Sequence, residues 1–89
     1  MSSYAAFELL IDNDDGTFTP VPSTAVKVYD VTDADPETGV GAIALADTAS
    51  DSNGTVPGAS VAVAAGRRLR FSYQRAADGL AGFAEQVTV

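Results

Sequence analysis

The stretch RRLRFSYQ at residues 67–74 decides the fold, because polar and apolar side chains alternate along it. Leu69, Phe71 and Tyr73 should point one way, and the opposite side should carry a polar row of Arg68, Arg70, Ser72 and Gln74. Successive side chains of a β-strand point to opposite faces, so a period of two indicates a strand. We therefore predict a strand here, with one face in an apolar core and the other carrying arginines.

The same alternation recurs on both sides of this stretch, interrupted by turn-forming residues. It predicts six more short strands, at residues 4–11, 17–21, 25–31, 42–47, 60–64 and 83–89. Turn signals separate them, chiefly DNDDG at 12–16, DPETG at 35–39 and SDSNG at 50–54. No window has the helical period of 3.6 residues. The pattern favours a single all-β domain over residues 1–89, an antiparallel β-sandwich of about seven short strands without significant helix; a small barrel is the alternative.

Strand alternation also predicts which side chains lie in the core. The expected inward sets are Ala5, Phe7, Leu9 and Ile11, then Val26 with Val28, Ile43 with Leu45, Val61 with Val63, and Phe83 with Val87 and Val89. Tyr4, Lys27 and Tyr29 should point outward. Sixteen residues are alanines, which bury little area, so we expect a thin core and infer that association with a partner supplies part of the stability.

Charge is distributed unevenly along the chain, whose net charge is −7. Residues 1–66 hold one cation against ten acids, whereas residues 67–89 hold four arginines against two acids. Such asymmetry in a small domain indicates a surface that meets a partner. We predict a protein interface formed by the four arginines together with two outward tyrosines: Arg67, Arg68, Arg70, Arg75, Tyr29 and Tyr4. The alternative is that Arg68 and Arg70 form ordinary cross-strand pairs with acids such as Glu85 or Asp30.

Catalysis is poorly supplied by this sequence, which contains neither histidine nor cysteine. These are the commonest acid–base group near neutral pH and the strongest common nucleophile. Lys27, the only lysine, alternates with valines on a predicted strand and is expected to be solvated. We predict no catalytic residue, no cofactor and no enzymatic activity.

Calcium is the metal that the acidic turns could bind, because carboxylates are its preferred ligands. The candidate ligand sets are Asp12, Asp14 and Asp15, then Asp33, Asp35 and Glu37, and more weakly Asp51 with Asn53. The glycine of DNDDG comes one position too early for an EF-hand loop. Turn formation explains the same residues without an ion, so we predict no metal site.

Composition disfavours two partner classes, nucleic acid and membrane, and also a signal peptide. A chain of net charge −7 is repelled by nucleic acid, and no set of stacking aromatics accompanies the arginines. No run approaches the 18 apolar residues of a membrane span. The first residues lack a basic region and Glu8 interrupts their apolar run, so we expect no signal peptide.

A series of short motifs follows in fixed order from residue 26. VxVYD at 26–30 precedes DPETG at 35–39, TxSDSNGT at 48–55, VxV at 61–63 and, after Gly66, LxFxY at 69–73. The series resembles the carboxypeptidase-regulatory-like (transthyretin-like) group of Ig-like β-sandwiches. The LPPGxY step usual in that group is absent, and Ala65-Gly66 stands in its place.

The resemblance implies a non-catalytic structural or interaction protein. Domains of this group serve as accessory modules, and this acidic example is most similar to phage virion accessories such as capsid decoration or tail-associated proteins. We therefore expect a virion protein, assembled in the host cytoplasm, whose partners are major capsid or tail subunits, copies of itself, or both. The alternative is an adhesive or ligand-binding module of a bacterial surface system, and a small transthyretin-like hydrolase is a third possibility that the lack of histidine disfavours.

Overall fold

The strand predicted at residues 67–74 lies in the interior of the largest sheet. The structure is a computed structural model that describes residues 2–74, 79 and 81–89. Over this range the chain forms ten short strands: β1 (Ser2–Tyr4), β2 (Phe7–Glu8), β3 (Leu10–Asp12), β4 (Phe18–Pro20), β5 (Ala25–Asp30), β6 (Ile43–Ala49), β7 (Thr55–Val56), β8 (Ala59–Val61), β9 (Arg68–Gln74) and β10 (Ala81–Val87). The all-β prediction is confirmed, with ten strands in four small antiparallel sheets where about seven strands were expected. Among the described residues there is no helix, and thus none that could cross a membrane.

The largest sheet contains four antiparallel strands in the order β10-β9-β5-β6. Phe71 of β9 lies between Val28 of β5 and Ala84 of β10. The face that carries Phe71 is buried, and Val26, Val28, Leu69 and Phe71 have no exposed surface. β-branched and aromatic side chains pack well on such a pleated face. The predicted separation of β9 into a core face and a polar face is confirmed for Leu69 and Phe71.

The N-terminal segment is divided into three short strands, although alternation predicted one strand over residues 4–11. β1 and β2 pair with β8 and β7 in one continuous register, and β3 pairs with β4. Pro57 and Gly58 separate β7 from β8. Proline has no N–H to donate, and a Cβ on Gly58 would lie 2.8 Å from the carbonyl oxygen of Tyr4. These two residues therefore account for the break between β1 and β2.

The core lies where the buried face of the four-stranded sheet meets the N-terminal segment. The ring of Phe71 contacts the ring of Tyr4 edge-on, with centroids 4.8 Å apart, and the tilted ring of Phe7 at 4.7 Å. Four aliphatic side chains complete the buried cluster: Leu9, Val21, Val56 and Val61. The outward orientation predicted for Tyr4 is wrong, because the pairing of β1 with β8 turns Ser2 and Tyr4 inward.

Five side chains predicted for the core are instead exposed: Ile43, Phe83, Val87, Val89 and Ala5. The first three belong to β6 and β10, which are the edge strands of the four-stranded sheet. Residues that oppose each other in an antiparallel pair project from the same face. Phe83 opposes Ser72 and Val87 opposes Arg68, so both project from the polar face of β9. Their orientation follows from the register of β10 and not from their hydrophobicity.

The SDSNG turn has the predicted position but connects different sheets. β6 precedes it in the four-stranded sheet, and β7 follows it in a sheet with β2, so Asn53-Gly54 closes no hairpin. The Asp51 carboxylate accepts the backbone N–H groups of Asn53 at 2.8 Å and Thr55 at 3.0 Å. Gly54, with φ +80°, accepts the N–H of Leu9 on its carbonyl at 2.8 Å. This turn thus takes the chain from one sheet to the next.

Two contacts join the end of the chain to the N-terminal segment. The side-chain amide of Gln86 accepts the N–H of Ala5 at 3.1 Å and donates to the carbonyl of Ala5 at 2.9 Å. Beyond β10, Ser3 and Val89 exchange both backbone hydrogen bonds, at 3.2 and 3.1 Å. A reciprocal pair of this kind is typical of antiparallel strands. The last residues therefore leave the four-stranded sheet and pair with β1.

Candidate functional site

The polar face of the four-stranded sheet collects most of the described cations. Strand register places four rows of side chains on it, one from each strand, and the β6 row carries Asp47 opposite Lys27. We call this surface the outer face and define it by Lys27, Tyr29, Arg68, Arg70, Ser72, Phe83, Glu85 and Val87.

Arg70 lies at the centre of the outer face, between Tyr29 and Glu85 in the strand register. Its Nε and Nη2 atoms donate to Oε2 of Glu85 at 3.2 and 3.1 Å. Its guanidinium carbon lies 4.4 Å from the centre of the Phe83 ring, within the range of a cation–π contact. The cross-strand pairing with Glu85 that the sequence offered as one interpretation is therefore present. The guanidinium lies over an aromatic ring that is itself 59 % exposed.

Arg68 is held more loosely than Arg70. Its Nη2 donates to the carbonyl oxygen of Val31 at 3.3 Å, and its Nε lies 3.9 Å from the nearest oxygen of Glu85. Almost half of the side chain is exposed, at 47 %. A guanidinium has five N–H donors in a rigid fork, so these contacts leave donors for a carboxylate from outside.

Two hollows lie on the outer face, one towards each end. At one end, a hollow of about 170 Å³ lies between the β5–β6 loop, at Asp35 and Pro36, and the side chains of Tyr29, Arg68 and Arg70. At the other end, a hollow of about 430 Å³ is lined by Ala25, Lys27, Ser72, Tyr73 and Gln74. Ser72 of β9 lines both hollows.

The loop that walls the first hollow is held by its own hydrogen bonds. The Asp35 carboxylate accepts the N–H groups of Glu37 at 2.8 Å and Thr38 at 3.4 Å, and the Asp35 N–H donates to the carbonyl of Val40 at 2.8 Å. The backbone hydrogen bonds from Glu37 and Thr38 hold the pKa of Asp35 below its ordinary value. This wall is therefore preorganised.

Arg67 points away from the outer face and binds two carboxylates. Its Nε donates to Oδ2 of Asp30 at 2.8 Å, and its Nη2 donates to Oδ2 of Asp33 at 3.0 Å. Asp30 is only 2 % exposed. Burial raises the pKa of Asp30, but hydrogen bonds from the Thr32 backbone N–H and the Arg67 side chain outweigh it, so the pKa lies below its ordinary value. Hydrogen bonds to Asp30 and Asp33 raise the pKa of Arg67. Arg67 thus ties the start of β9 to the end of β5.

The acidic turns use their carboxylates to cap backbone N–H groups. Asp12 Oδ1 accepts the N–H of Asp14 at 2.9 Å, and Asp15 Oδ1 accepts the N–H and the hydroxyl of Thr17. The bond from the Thr17 hydroxyl is the main reason that the pKa of Asp15 lies below its ordinary value. Over residues 2–74, 79 and 81–89, no three Asp or Glu side chains converge as metal ligands would.

The structure brings together three of the six predicted interface residues: Tyr29, Arg68 and Arg70. Arg67 is engaged with Asp30 and Asp33, Tyr4 lies in the core, and Arg75 lies outside the described residues. The sequence pattern placed Lys27 and Ser72 on outward faces, but neither was included in the predicted interface, and Glu85 was named only as a pairing partner of the arginines. Phe83 and Val87 were predicted for the core. The signal for Lys27 and Ser72 was available in the alternation of β5 and β9, whereas the positions of Glu85, Phe83 and Val87 depend on the register of β10.

Comparison with known proteins adds no relative. No protein-family model matches the chain, and searches of curated proteins and of solved structures return no significant match.

Proposed function

We propose that this chain is a non-catalytic binding module of the transthyretin-like β-sandwich type that docks on a protein assembly through its outer face. The observation that carries the proposal is the composition of that face. It combines exposed apolar groups, Phe83 and Val87, each 59 % exposed, with the guanidinium groups of Arg68 and Arg70. Aromatic and arginine side chains are enriched at protein interfaces, where arginine forks bind carboxylates with defined geometry.

The sandwich architecture is part of the proposal and is supported by the core. The buried face of the four-stranded sheet packs on side chains from β1, β7 and β8, which belong to the smaller sheets. Sheets that share one apolar core in this way are typical of β-sandwiches, which supports this architecture. The motif series from residue 26 agrees with the transthyretin-like variety.

The proposed setting is a phage virion, where the chain would be a capsid decoration or tail-associated protein. A large symmetric assembly offers many identical copies of one docking surface, so one small module can occupy many equivalent sites. The excess of acids over cations elsewhere on the chain disfavours attachment to nucleic acid, and it favours a protein partner that meets the cations of the outer face.

The test is incorporation into virions of a phage that carries the gene. Arg68→Glu combined with Val87→Ser removes one cation and one exposed apolar group, and we expect at least a tenfold loss of the chain from purified particles, measured by quantitative mass spectrometry. The matched control, Glu8→Gln with Ile43→Thr, changes one charge and one exposed apolar side chain away from the outer face and should be incorporated normally. Absence of the wild-type chain from purified virions would refute the virion setting.

A second candidate function is ligand binding at a bacterial surface, and the hollow beside Tyr29 is the observation that favours it. The ring of Tyr29, the guanidinium groups of Arg68 and Arg70 and the preorganised β5–β6 loop line this hollow of about 170 Å³. Recovery of the chain from the cell surface of its bacterial host, with no copies in virions, would favour this function over the first.

A further inference from the structure

The hairpin formed by β3 and β4 carries a second exposed surface with acidic and apolar parts. Its register pairs Leu10 with Pro20 and Asp12 with Phe18, so these four side chains project from one face. Leu10 is 40 % exposed and Phe18 is 58 % exposed. Ile11, on the opposite face, packs against the core. The hairpin therefore exposes an apolar strip formed by Leu10, Pro20 and Phe18, and the carboxylates of the DNDDG turn lie at the end of this strip.

The hairpin tip is held in one conformation by its own hydrogen bonds. The side-chain amide of Asn13 donates to the hydroxyl oxygens of Thr17 at 3.1 Å and Thr19 at 2.9 Å. Asp12 and Asp15 are occupied as caps. Asp14 is exposed and has a left-handed φ of 62°, and no hydrogen bond of its side chain occurs among the described residues. Asp14 is thus available to an external cation.

The two surfaces match in chemistry. The outer face offers apolar groups at Phe83 and Val87 along one edge, and two cations, Arg68 and Lys27, that each line one of its two hollows. The hairpin offers apolar groups on its strands and carboxylates at its tip. No ion pair of Lys27 occurs among the described residues.

We propose that the occupant of the outer face is the β3–β4 hairpin of a second copy of this chain. The inference rests on the proposed role of the outer face as a docking surface and names its partner. Phe18 and Leu10 of one copy would cover Phe83 and Val87 of the next, and Asp14 would approach Arg68 or Lys27. The hairpin is the donor surface and the outer face is the acceptor surface. Because these are different surfaces of the chain, the contact is head-to-tail and each copy can bind a further copy.

The size of the surfaces sets the expected strength of the contact. Three strands of about seven residues span roughly 20 by 14 Å, which makes this a small interface. Interfaces that bury less than about 1,200 Å² in total are typically weak and transient. We therefore expect a dissociation constant on the order of micromolar or weaker, so association should be measured up to several hundred micromolar.

The experiment uses complementary variants of the chain, measured by sedimentation velocity. An acceptor variant, Lys27→Glu with Arg68→Glu, leaves the Arg70–Glu85 pair and the hairpin intact. A donor variant, Asp14→Asn with Phe18→Thr, keeps a residue that tolerates left-handed φ and one that favours strands. The control is Glu8→Gln with Ile43→Thr. If the charge reversals disturb folding, judged by circular dichroism, Lys27→Gln with Arg68→Gln replaces them.

The wild type and the control should form species larger than dimers as concentration rises, and 0.5 M NaCl should weaken them. Each variant alone should remain monomeric, and an equimolar mixture should form a one-to-one complex, because only one intact donor and one intact acceptor remain. Three outcomes would overturn the inference: a monomeric wild type, association that the variants do not change, or variants whose mixture stays monomeric.

The virion experiment separates this inference from the proposed function. If incorporation depends on the outer face but the isolated chain never associates, the docking function stands and the second-copy partner is wrong. If the isolated chain associates as expected but is absent from virions, the partner is right and the virion setting is wrong.

Discussion

Arg67 connects two parts of the chain through carboxylates of very different exposure. Asp30 is 2 % exposed, whereas the side chain of Asp33 is 78 % exposed. A charge buried without its partner destabilises a protein much more than a broken surface pair does. The stabilising part of the cluster is therefore the contact of Arg67 with Asp30, and the contact with Asp33 adds little.

Replacing Arg67 by Met should lower the melting temperature by roughly 5–10 °C at pH 7, because Asp30 would stay buried and charged without its guanidinium. Arg67→Lys keeps the charge but loses the fork, so its loss should be intermediate. Asp33→Asn is the matched control and should change the melting temperature little. Thermal denaturation followed by circular dichroism measures all three, and equal losses for Arg67→Met and Asp33→Asn would contradict the assignment.

The same pair predicts how stability depends on pH. The pKa of Asp30 is lower in the folded chain than its ordinary value of 3.8, so its contribution is complete above that value and is lost as pH falls through the folded pKa. Once Asp30 is protonated, Arg67→Met has no ion pair to break. The difference in melting temperature between wild type and variant should therefore shrink below about pH 4. The pKa values of Asp15 and Asp35 are lowered as well, so these two residues also lose their contributions to stability in that range.

At the scale of elements, Gln86 acts as an extra strand residue. Its amide makes to Ala5 the two hydrogen bonds that a backbone partner would make in a ladder. It thereby joins β10 to the N-terminal segment at the point where β1 ends and β2 has not begun. This contact lies at the break between β1 and β2.

Gln86→Ala should destabilise the fold by about 1 kcal/mol, since each net hydrogen bond contributes roughly 0.5–1.5 kcal/mol and the site is partly solvated. The amide N–H of Ala5 should exchange with solvent at least several-fold faster, measured by hydrogen exchange with nuclear magnetic resonance. Gln86→Glu keeps an oxygen that accepts the Ala5 N–H but cannot donate to the Ala5 carbonyl, so it should destabilise the fold and yet protect the Ala5 amide better than Gln86→Ala does. Unchanged protection of the Ala5 amide in both variants would contradict this role.

β10 also shows where prediction from sequence fails. Its apolar residues Phe83 and Val87 suggested an inward face, yet Gly82, Ala84 and Gln86 point inward. The reason is spatial, since a Cβ on Gly82 would lie 2.8 Å from the ring of Tyr73 and Gln86 must reach Ala5. A single strand does not contain this information, because its register depends on the neighbour with which it pairs.

β9, by contrast, could be predicted nearly in full. Its alternation is regular over seven residues, and β5 and β10 both bury the face that carries Leu69 and Phe71. A shift of either neighbour by two residues would leave these two side chains in the core. Tyr4 could not be predicted, because its direction depends on the pairing of β1 with β8 some 55 residues away in sequence. The β9 row of the candidate site was therefore predicted from the sequence alone, whereas its β10 row could be assigned only from the structure.

For the whole molecule, salt should act with opposite signs on folding and on binding. The net charge of −7 destabilises the isolated chain through repulsion among its acids, and salt screens that repulsion. Raising NaCl from 0.05 to 0.5 M should increase the melting temperature by a few degrees while it weakens docking at the outer face. Calorimetry and the incorporation assay measure the two effects, and a fall in melting temperature with salt would contradict the first.

The reciprocal bonds of Ser3 and Val89 have a mechanical consequence. Because this pair is antiparallel and lies at the two ends of the described chain, tension applied between those ends acts across the strands and not along them. Bonds loaded in that direction break one after another, so the pairing of Ser3 with Val89 would unzip at low force. Once that pair has separated, tension passes to β10, which is bonded to β9 over seven residue pairs.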